Sequence, residues 1–336
     1  MDTINIILDF EKELTNNEIR EIERIIKRSG YCEIVRMFGR NEFDIEFSYP
    51  KYFSESNAFL IDSSEKCFEV QDDFAKLLKS SLLTSNLKIR IVGVTVPFIY
   101  LMDSKEDIYT YKNIFKILEE VYRKNNLVFG SERDTLKRRY DKVIFSDRSY
   151  DREYYQQVTI SNHFKNLKYE FNQRKFENIC EEFPDLKKRI IFEYTLNISK
   201  DREIGKVMSL DEFRDFNMFE VFTKKAIDYI LENLLDEEKV QMVINEKTNE
   251  LTDKLTDEIA RRKLDYERFF YKYIDLILDY QIVRKSLNQI KNLKTREGAV
   301  TSIRRLIFTN EKIENIIIFN TCEKIQSMIE FFKKLK

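Results

Sequence analysis

Residues 15–49 have the sequence TNNEIREIERIIKRSGYCEIVRMFGRNEFDIEFSY, which passes from a helical to a strand pattern. Thr15 and Glu18 match the capping box that begins many helices, and isoleucines follow at helical spacing until Gly30. Residues 31–38 predict a strand, Gly39-Arg40-Asn41 predicts a tight turn, and residues 43–49 predict a second strand, because apolar and polar side chains alternate there with a period of two. The stretch therefore predicts a helix followed by a β-hairpin.

The flanking sequence extends this unit in both directions. Residues 4–10 predict a strand before the helix. Downstream, residues 59–61 and 67–70 predict two short strand pieces, and residues 72–81 predict a helix. A long strand is predicted over residues 87–101 and a second helix over residues 107–124. The main elements follow the βαββαβ order of the ferredoxin-like sandwich. We therefore expect an α+β domain over residues 1–130, with a mixed sheet and flanking helices.

A second strand-bearing region is expected over residues 131–204. Residues 143–145 and 154–160 predict a β-hairpin, residues 164–183 a helix that stops before Pro184, and residues 189–198 a further strand. The region either extends the sheet of the first domain or forms a small unit of its own.

Residues 205–336 predict only helices. The expected helices cover residues 213–235, 236–263, 264–293, 299–308 and 311–335, with Gly298 as a break. The second of them has a thin apolar stripe, formed by Val240, Ile244, Leu251, Leu255 and Ile259. So narrow a stripe needs a partner helix, either the next helix of the chain or one from another subunit. We expect a helical bundle with a long helical hairpin, which could also support a homo-oligomer.

Composition limits the class of protein. The 336 residues are 43% apolar, which is enough for a sizeable core, and the four cysteines are too far apart for a CxxC motif. Apolar runs are too short for a membrane span, and the first residues lack the basic and apolar regions of a signal peptide. We therefore expect a cytoplasmic protein that does not bind membranes.

Strong catalytic motifs are missing from the sequence. Only six glycines occur, and Gly205-Lys206-Val207 lacks the hydroxyl residue that completes a phosphate-binding loop. His163 is the single histidine, so a histidine metal cluster is impossible, and with His163 as the one available imidazole no Ser or Cys triad can be assembled from the sequence. Cys67 is expected in the core. We therefore predict no cofactor, no metal and no catalytic residue.

One enzymatic alternative stays open. Nucleases of the PD-(D/E)xK type place acidic residues and a lysine at the ends of neighbouring strands, where the acids hold a metal ion. Asp103 and Lys105 follow the predicted strand over residues 87–101, and Asp62 follows the short predicted strand over residues 59–61. Triplets of this form also arise by chance in a chain with 59 acidic residues.

Charge is segregated along the chain although the net charge is only −1. Residues 1–73 and residues 211–258 each carry an excess of eight acidic side chains, whereas residues 261–306 carry an excess of seven basic ones. Two interpretations are open. The acidic and basic segments could neutralise each other within a molecule or between copies, or the basic segment could bind a polyanion.

Two basic segments are candidate nucleic-acid contacts. The first, residues 133–152, mixes cations with tyrosines, the combination that binds the phosphates and bases of single-stranded nucleic acids. The second covers residues 284–305, where Arg284, Lys291 and Lys294 could share one side of a helix. The predicted binding residues are Arg138, Arg139, Tyr140, Arg148, Arg152, Arg284, Lys285, Lys291, Lys294, Arg304 and Arg305.

These patterns favour a non-enzymatic binding or adaptor protein whose partner is a nucleic acid, RNA or DNA, or a protein. A metal-dependent nuclease and a self-associating structural protein are the alternatives. The composition, which lacks tryptophan and is rich in Ile, Lys, Asn, Glu and Phe, resembles that of proteins from AT-rich bacterial and phage genomes. A mobile-element or phage-defence setting would fit that resemblance.

Overall fold

The computed structural model describes residues 1–54, 56–58, 60–79, 87–103, 111–125, 142–148, 154–198, 208–260, 265–273, 276–277, 280–289, 291–309 and 320–336. The chain is mixed α+β and divides into two compact units. The first unit comprises residues 1–105 and 127–228, and the second comprises residues 106–126 and 229–336.

The described part of the first unit contains seven strands and several helices. The strands are β1 (Thr3–Phe10), β2 (Cys32–Phe38), β3 (Glu42–Ser48), β4 (Leu87–Leu101), β5 (Lys142–Arg148), β6 (Tyr154–Asn162) and β7 (Arg189–Asn197). The helices are α1 (Asn16–Ser29), α2 (Tyr49–Ser54), α3 (Ser64–Lys79), α5 (His163–Glu170), α6 (Gln173–Glu182) and α7 (Leu210–Asp215), with a 3-10 turn at Leu186–Lys188. The helix α4 (Lys112–Lys124) belongs to the second unit.

All seven strands form one sheet in the order β2-β3-β1-β4-β7-β6-β5. Every neighbouring pair is antiparallel. The strands β5, β6 and β7 therefore continue the sheet formed by β1 to β4, since β7 pairs with β4 from Gly93–Asn197 to Leu101–Arg189. The prediction of a mixed sheet was wrong. Each connection places the next strand beside one that runs in the opposite direction.

The capping box at the start of α1 is confirmed. The Glu18 carboxylate accepts from the Thr15 backbone N–H at 2.6 Å, and the Thr15 hydroxyl caps the Glu18 N–H at 3.4 Å. Gly30 ends the helix at φ 76°, a left-handed conformation that glycine adopts without a steric penalty. The local sequence thus fixes where α1 begins and ends.

The sheet buries one face of its central strands. On β1 the residues Ile4, Ile6 and Leu8 are completely buried while their neighbours are half-exposed, as the alternating pattern predicts. Aromatic rings fill the space above β3, where Phe47 packs edge-on against Phe74 at a centroid distance of 5.1 Å. The core of the unit lies between this face and helices such as α3.

Three local predictions in the first unit were wrong. Residues 67–70 belong to α3 instead of a strand, because Cys67, Val70 and Phe74 are all buried at helical spacing on one face. Residues 164–183 form two helices instead of one, since Asn172 leaves the helix and caps α6 through its side chain. Residues 60–63 form no strand, and residue 59 lies outside the described part.

The second unit is helical in its described part. Its helices are α4 (Lys112–Lys124), α9 (Glu237–Ala260), α10 (Tyr266–Lys272), α11 (Tyr280–Asn288), α12 (Leu293–Thr309) and α13 (Thr321–Leu335), and α8 (Met218–Asn233) crosses from one unit into the other along the chain. Among the described residues, no helix has the length and apolar character that crossing a membrane requires.

The thin stripe of α9 is buried within the chain. Val240, Ile244, Leu251 and Leu255 are each at most 5% exposed, and α9 packs against both α4 and α11. The hydroxyl of Ser286 on α11 donates to the backbone carbonyl of α9 at Thr248, at 3.3 Å. The partner that the stripe requires is thus supplied by helices of the same chain.

Two predicted boundaries in the second unit were wrong. The helix expected over residues 264–293 is divided, because α10 ends at Lys272 and α11 begins at Tyr280. Gly298 does not break a helix but lies inside α12, where a side chain at this position would meet no atom within 4 Å. An exposed glycine within a helix costs about 1 kcal/mol, which neighbouring turns can offset.

A tyrosine pair joins α4 to α8 within the second unit. The hydroxyls of Tyr122 and Tyr229 lie 2.9 Å apart, and both side chains are buried. We expect Tyr122→Phe to lower the free energy of unfolding by about 1 kcal/mol, because it removes a buried hydrogen bond. Urea unfolding measures the change, and Tyr169→Phe, at a position 84% exposed, is the matched control. Equal stability of both variants would contradict the role of this pair.

Candidate nucleic-acid interface

The first basic segment lies mostly outside the described residues. Arg138, Arg139, Tyr140 and Arg152 are among the residues that the structure does not describe. Arg148 ends β5, but its side chain is not described either. The predicted contacts of this segment therefore remain a prediction.

The second basic segment is carried by α11, α12 and the short connection between them. Arg284 and Lys285 lie on α11, Lys291 lies in the connection and Lys294 lies in the first turn of α12, and all four side chains are exposed. We call these four residues the basic surface. The sequence predicted that Arg284 and Lys294 could lie on one helix. In the structure they lie on two, because α11 ends at Asn288.

The start of α12 adds to the positive potential of this surface. The first turn of a helix presents unpaired backbone N–H groups and the positive end of the helix dipole. α12 has no acidic residue in that turn, and Lys291 and Lys294 flank it in sequence. Backbone N–H groups beside lysines are suited to bind phosphate oxygens.

Arg305 continues the surface along α12. It is exposed, and it follows Lys294 by 11 residues, which is about three helical turns and about 16 Å along the axis. The two side chains therefore lie on the same side of α12. Arg304 lies next to it in the helix, but its side chain is not described.

The acidic segment on α9 draws its ion-pair partners from other elements. Lys333 of α13 contacts Glu237 at 2.7 Å, and Lys124 of α4 contacts Glu246 at 2.9 Å. The contact to Lys333 holds the pKa of Glu237 below its usual value. A lysine of α9 itself, Lys247, contacts Glu120 of α4 at 2.6 Å.

One cation of the segment 261–306, Lys272, pairs with the acidic helix α9. Lys272 of α10 lies 3.2 Å from Glu258, and its pKa is raised through contacts to Tyr273 and then Glu258. None of the four cations of the basic surface forms an ion pair within the described part of the chain, although α11 packs against α9. Mutual neutralisation of the two segments therefore does not extend to these four residues.

His163 has a structural environment. It begins α5, it is 2% exposed, and its Nε2 lies 3.1 Å from the carbonyl oxygen of Asn57. Burial, together with the nearby Arg189 guanidinium, lowers its pKa to about 4. Its Nδ1 is buried without a hydrogen-bond partner in the described residues. The imidazole ring is therefore neutral, and it is buried at the start of α5 beside the Asn57 carbonyl.

The described part of the structure assembles no metal site from the residues of the nuclease alternative. Asp62 lies in the loop before α3, and Lys66 donates to it at 2.7 Å, which lowers its pKa. Asp103 follows β4, whereas Lys105 lies outside the described residues. Within the described ranges, no group of three His, Cys, Asp or Glu side chains could hold a metal ion.

Comparisons with protein families, with curated proteins and with solved structures found no match for this chain. The function must therefore be inferred from the residues themselves. Burial raises the pKa of the Cys32 and Cys67 thiols to about 12, so neither is a reactive thiol at neutral pH.

Proposed function

We propose that this chain is a non-enzymatic nucleic-acid-binding protein that holds a phosphate backbone on its basic surface. The observation that carries the proposal is the state of Arg284, Lys285, Lys291 and Lys294. They are exposed and form no ion pair with the described residues. The acidic helix α9, against which α11 packs, forms ion pairs with Lys124 and Lys333 instead. Clustered cations of this kind attract polyphosphates by releasing condensed counterions.

A protein partner is the weaker candidate for the basic surface. Protein interfaces are depleted of lysine and centre on buried aromatic or apolar side chains. The basic surface consists of arginine and lysine only, and Ile282, Val283 and Leu287, the described apolar residues of α11, are buried. This composition is better suited to a phosphate backbone than to a folded protein.

Self-association and nuclease activity have less support. Self-association through α9 would require its apolar stripe to be exposed, and four of its five members are buried within the chain. A nuclease site would require Asp62 to be released from Lys66. Neither activity has an observation in its favour.

We further propose a finer description of the fold. The order β2-β3-β1-β4 with antiparallel neighbours supports a ferredoxin-like unit over residues 1–101, with β7, β6 and β5 added at its β4 edge. Packing of α9 against α4 and α11 supports a helical bundle in the second unit. On the cysteine spacing, we expect the protein to act in the cytoplasm.

Binding to labelled oligonucleotides tests the proposed function. Fluorescence anisotropy with the full chain at low salt should show saturable binding of RNA, single-stranded DNA or duplex DNA of about 20 nucleotides. Nucleic acid should also accompany the protein when it is purified at low salt, and a high-salt wash should remove it. A folded protein that binds none of the three probes at low salt would refute the proposal.

A further inference from the structure

The first unit contains a polar cavity that the proposed function does not use. The cavity has a volume of about 890 Å³ and lies where the end of α1, the helices α2 and α3, and the junction of α5 and α6 meet. Small-molecule sites usually have volumes of ~300–1,000 Å³. Five elements of the chain thus surround a space that suits a drug-sized or nucleotide-sized ligand.

Aromatic rings form part of the wall. Tyr31 is 6% exposed, and its ring packs edge-on against Tyr52 at a centroid distance of 5.1 Å. The Tyr31 hydroxyl donates to Asp73 at 3.3 Å, which holds the ring in place. Phe171 lines the cavity from the α5–α6 junction, and Lys175 lies 4.8 Å from its ring centroid. Tyr52 is only partly buried, so its ring can offer a face to a planar heterocycle.

The charges around the cavity are mixed, with one cation in excess. Lys51 lies 3.5 Å from Glu170, and Asp73 accepts the hydrogen bond of Tyr31, so both acids have partners. Arg28, in the last turn of α1, has no ion-pair partner among the described residues. An arginine is the side chain best suited to bind a phosphate through two parallel hydrogen bonds.

We infer that this cavity binds a nucleoside monophosphate, either free or as the phosphorylated end of a nucleic-acid strand. Arg28, with Lys51 and Lys175 on the same cavity, provides positive charge for the phosphate. The Tyr52 ring provides a face for the base, and the carboxylates of Asp73 and Glu170 can accept hydrogen bonds from ribose hydroxyls. A single excess cation favours a monophosphate over the more highly charged triphosphate. The residues of this cavity are distinct from the basic surface, so the site does not depend on the proposed function.

Calorimetric titration of the full chain with adenosine monophosphate tests the site. We expect saturable binding, with adenosine and inorganic phosphate each bound at least about tenfold more weakly, because each lacks half of the recognised groups. A 5′-phosphorylated dinucleotide that binds more tightly than the free nucleotide would identify a strand end as the ligand. Equal binding would identify the free nucleotide.

Two variants and one control make the test specific. Arg28→Glu should weaken binding of adenosine monophosphate at least about tenfold, and Tyr52→Leu should do the same because one stacking face is lost. Arg20→Glu lies on the same helix, is exposed and does not line the cavity, so it should bind like the wild type. Circular dichroism confirms that each variant is folded.

A separate readout uses the fact that the chain has no tryptophan. Tyrosine emission should be quenched by adenosine monophosphate in the wild type, and the quenching should decrease in Tyr52→Leu even if that variant is less stable. Absence of binding to adenosine monophosphate would overturn the inference, as would equal affinity for adenosine alone. Basic-surface variants that lose nucleic-acid binding but still bind adenosine monophosphate would show that the two sites are independent. The proposed function and the nucleotide site can then each fail without the other.

Discussion

Reversal of the charge at Arg284, Lys285, Lys291 and Lys294 to glutamate should weaken nucleic-acid binding by about a thousandfold. The loss corresponds to about 1 kcal/mol for each of four lost phosphate contacts, and repulsion between glutamate and phosphate adds to it. All four side chains are exposed, and none has an ion-pair partner in the described part of the chain. The variant should therefore fold with nearly the stability of the wild type.

The matched control reverses four exposed cations of the first unit. Lys12, Arg20, Lys27 and Lys168 are exposed and outside any described ion pair, so Lys12→Glu, Arg20→Glu, Lys27→Glu and Lys168→Glu together change the net charge by the same amount. We expect this control to bind nucleic acid within about threefold of the wild type, because it leaves the basic surface intact and exposed charges that do not contact the ligand are largely screened by salt. If both quadruple variants lose affinity equally, only net charge matters and the basic surface is not the site.

Acid should unfold the wild type more readily than His163→Gln. Burial and Arg189 lower the pKa of His163 to about 4, whereas in the unfolded chain it returns to its ordinary value of 6.5. At a pH between these two pKa values, His163 is protonated in the unfolded state and neutral in the folded state. Stability is therefore lost as the pH falls from about 6.5 to about 4, by about 3 kcal/mol in total.

The groups around His163 explain the direction of the shift. The Asn57 carbonyl accepts from Nε2, and Asp185 favours the charged ring, but desolvation and the Arg189 guanidinium outweigh both. Protonation would place a second hydrogen on Nδ1, which has no acceptor in the described residues. Glutamine at this position could still donate to Asn57 without a titratable ring.

Urea unfolding of both proteins at several pH values measures the difference. Asp2 shifts stability in the opposite sense, since burial raises its pKa to about 7, so the comparison must be wild type minus His163→Gln. Because His163 is the single histidine, its ring resonances can also be followed by NMR without ambiguity. A midpoint near 6.5 in the folded protein would contradict the buried, neutral ring.

Local sequence predicted most strands and the start of α1 because their signals lie within a few residues. The capping box at Thr15 and the alternation around Phe43 depend only on neighbours along the chain. The short apolar run at residues 67–70 was ambiguous, since a buried helix and a buried strand look alike over four residues. Asn172, which caps α6, was a visible signal that the helix over residues 164–183 would be interrupted.

The candidate sites could be predicted only in part. Charge segregation identified the second basic segment, but not which cations would be left unpaired. That depends on Lys124 and Lys333, which contact α9 residues 122 and 96 positions away in the sequence. The cavity in the first unit was missed because its residues, from Arg28 to Lys175, come from separate elements and form no motif.

The salt dependence of binding reports how many phosphates the basic surface contacts. The logarithm of the binding constant for a single-stranded oligonucleotide should fall with the logarithm of salt concentration, with a slope of about −0.7 for each phosphate contact. We predict a slope of about −3 or steeper for the wild type, and a slope about three units shallower for the variant with four reversed charges in the basic surface. The same slope for both proteins would show that the phosphates are held elsewhere and would contradict the account.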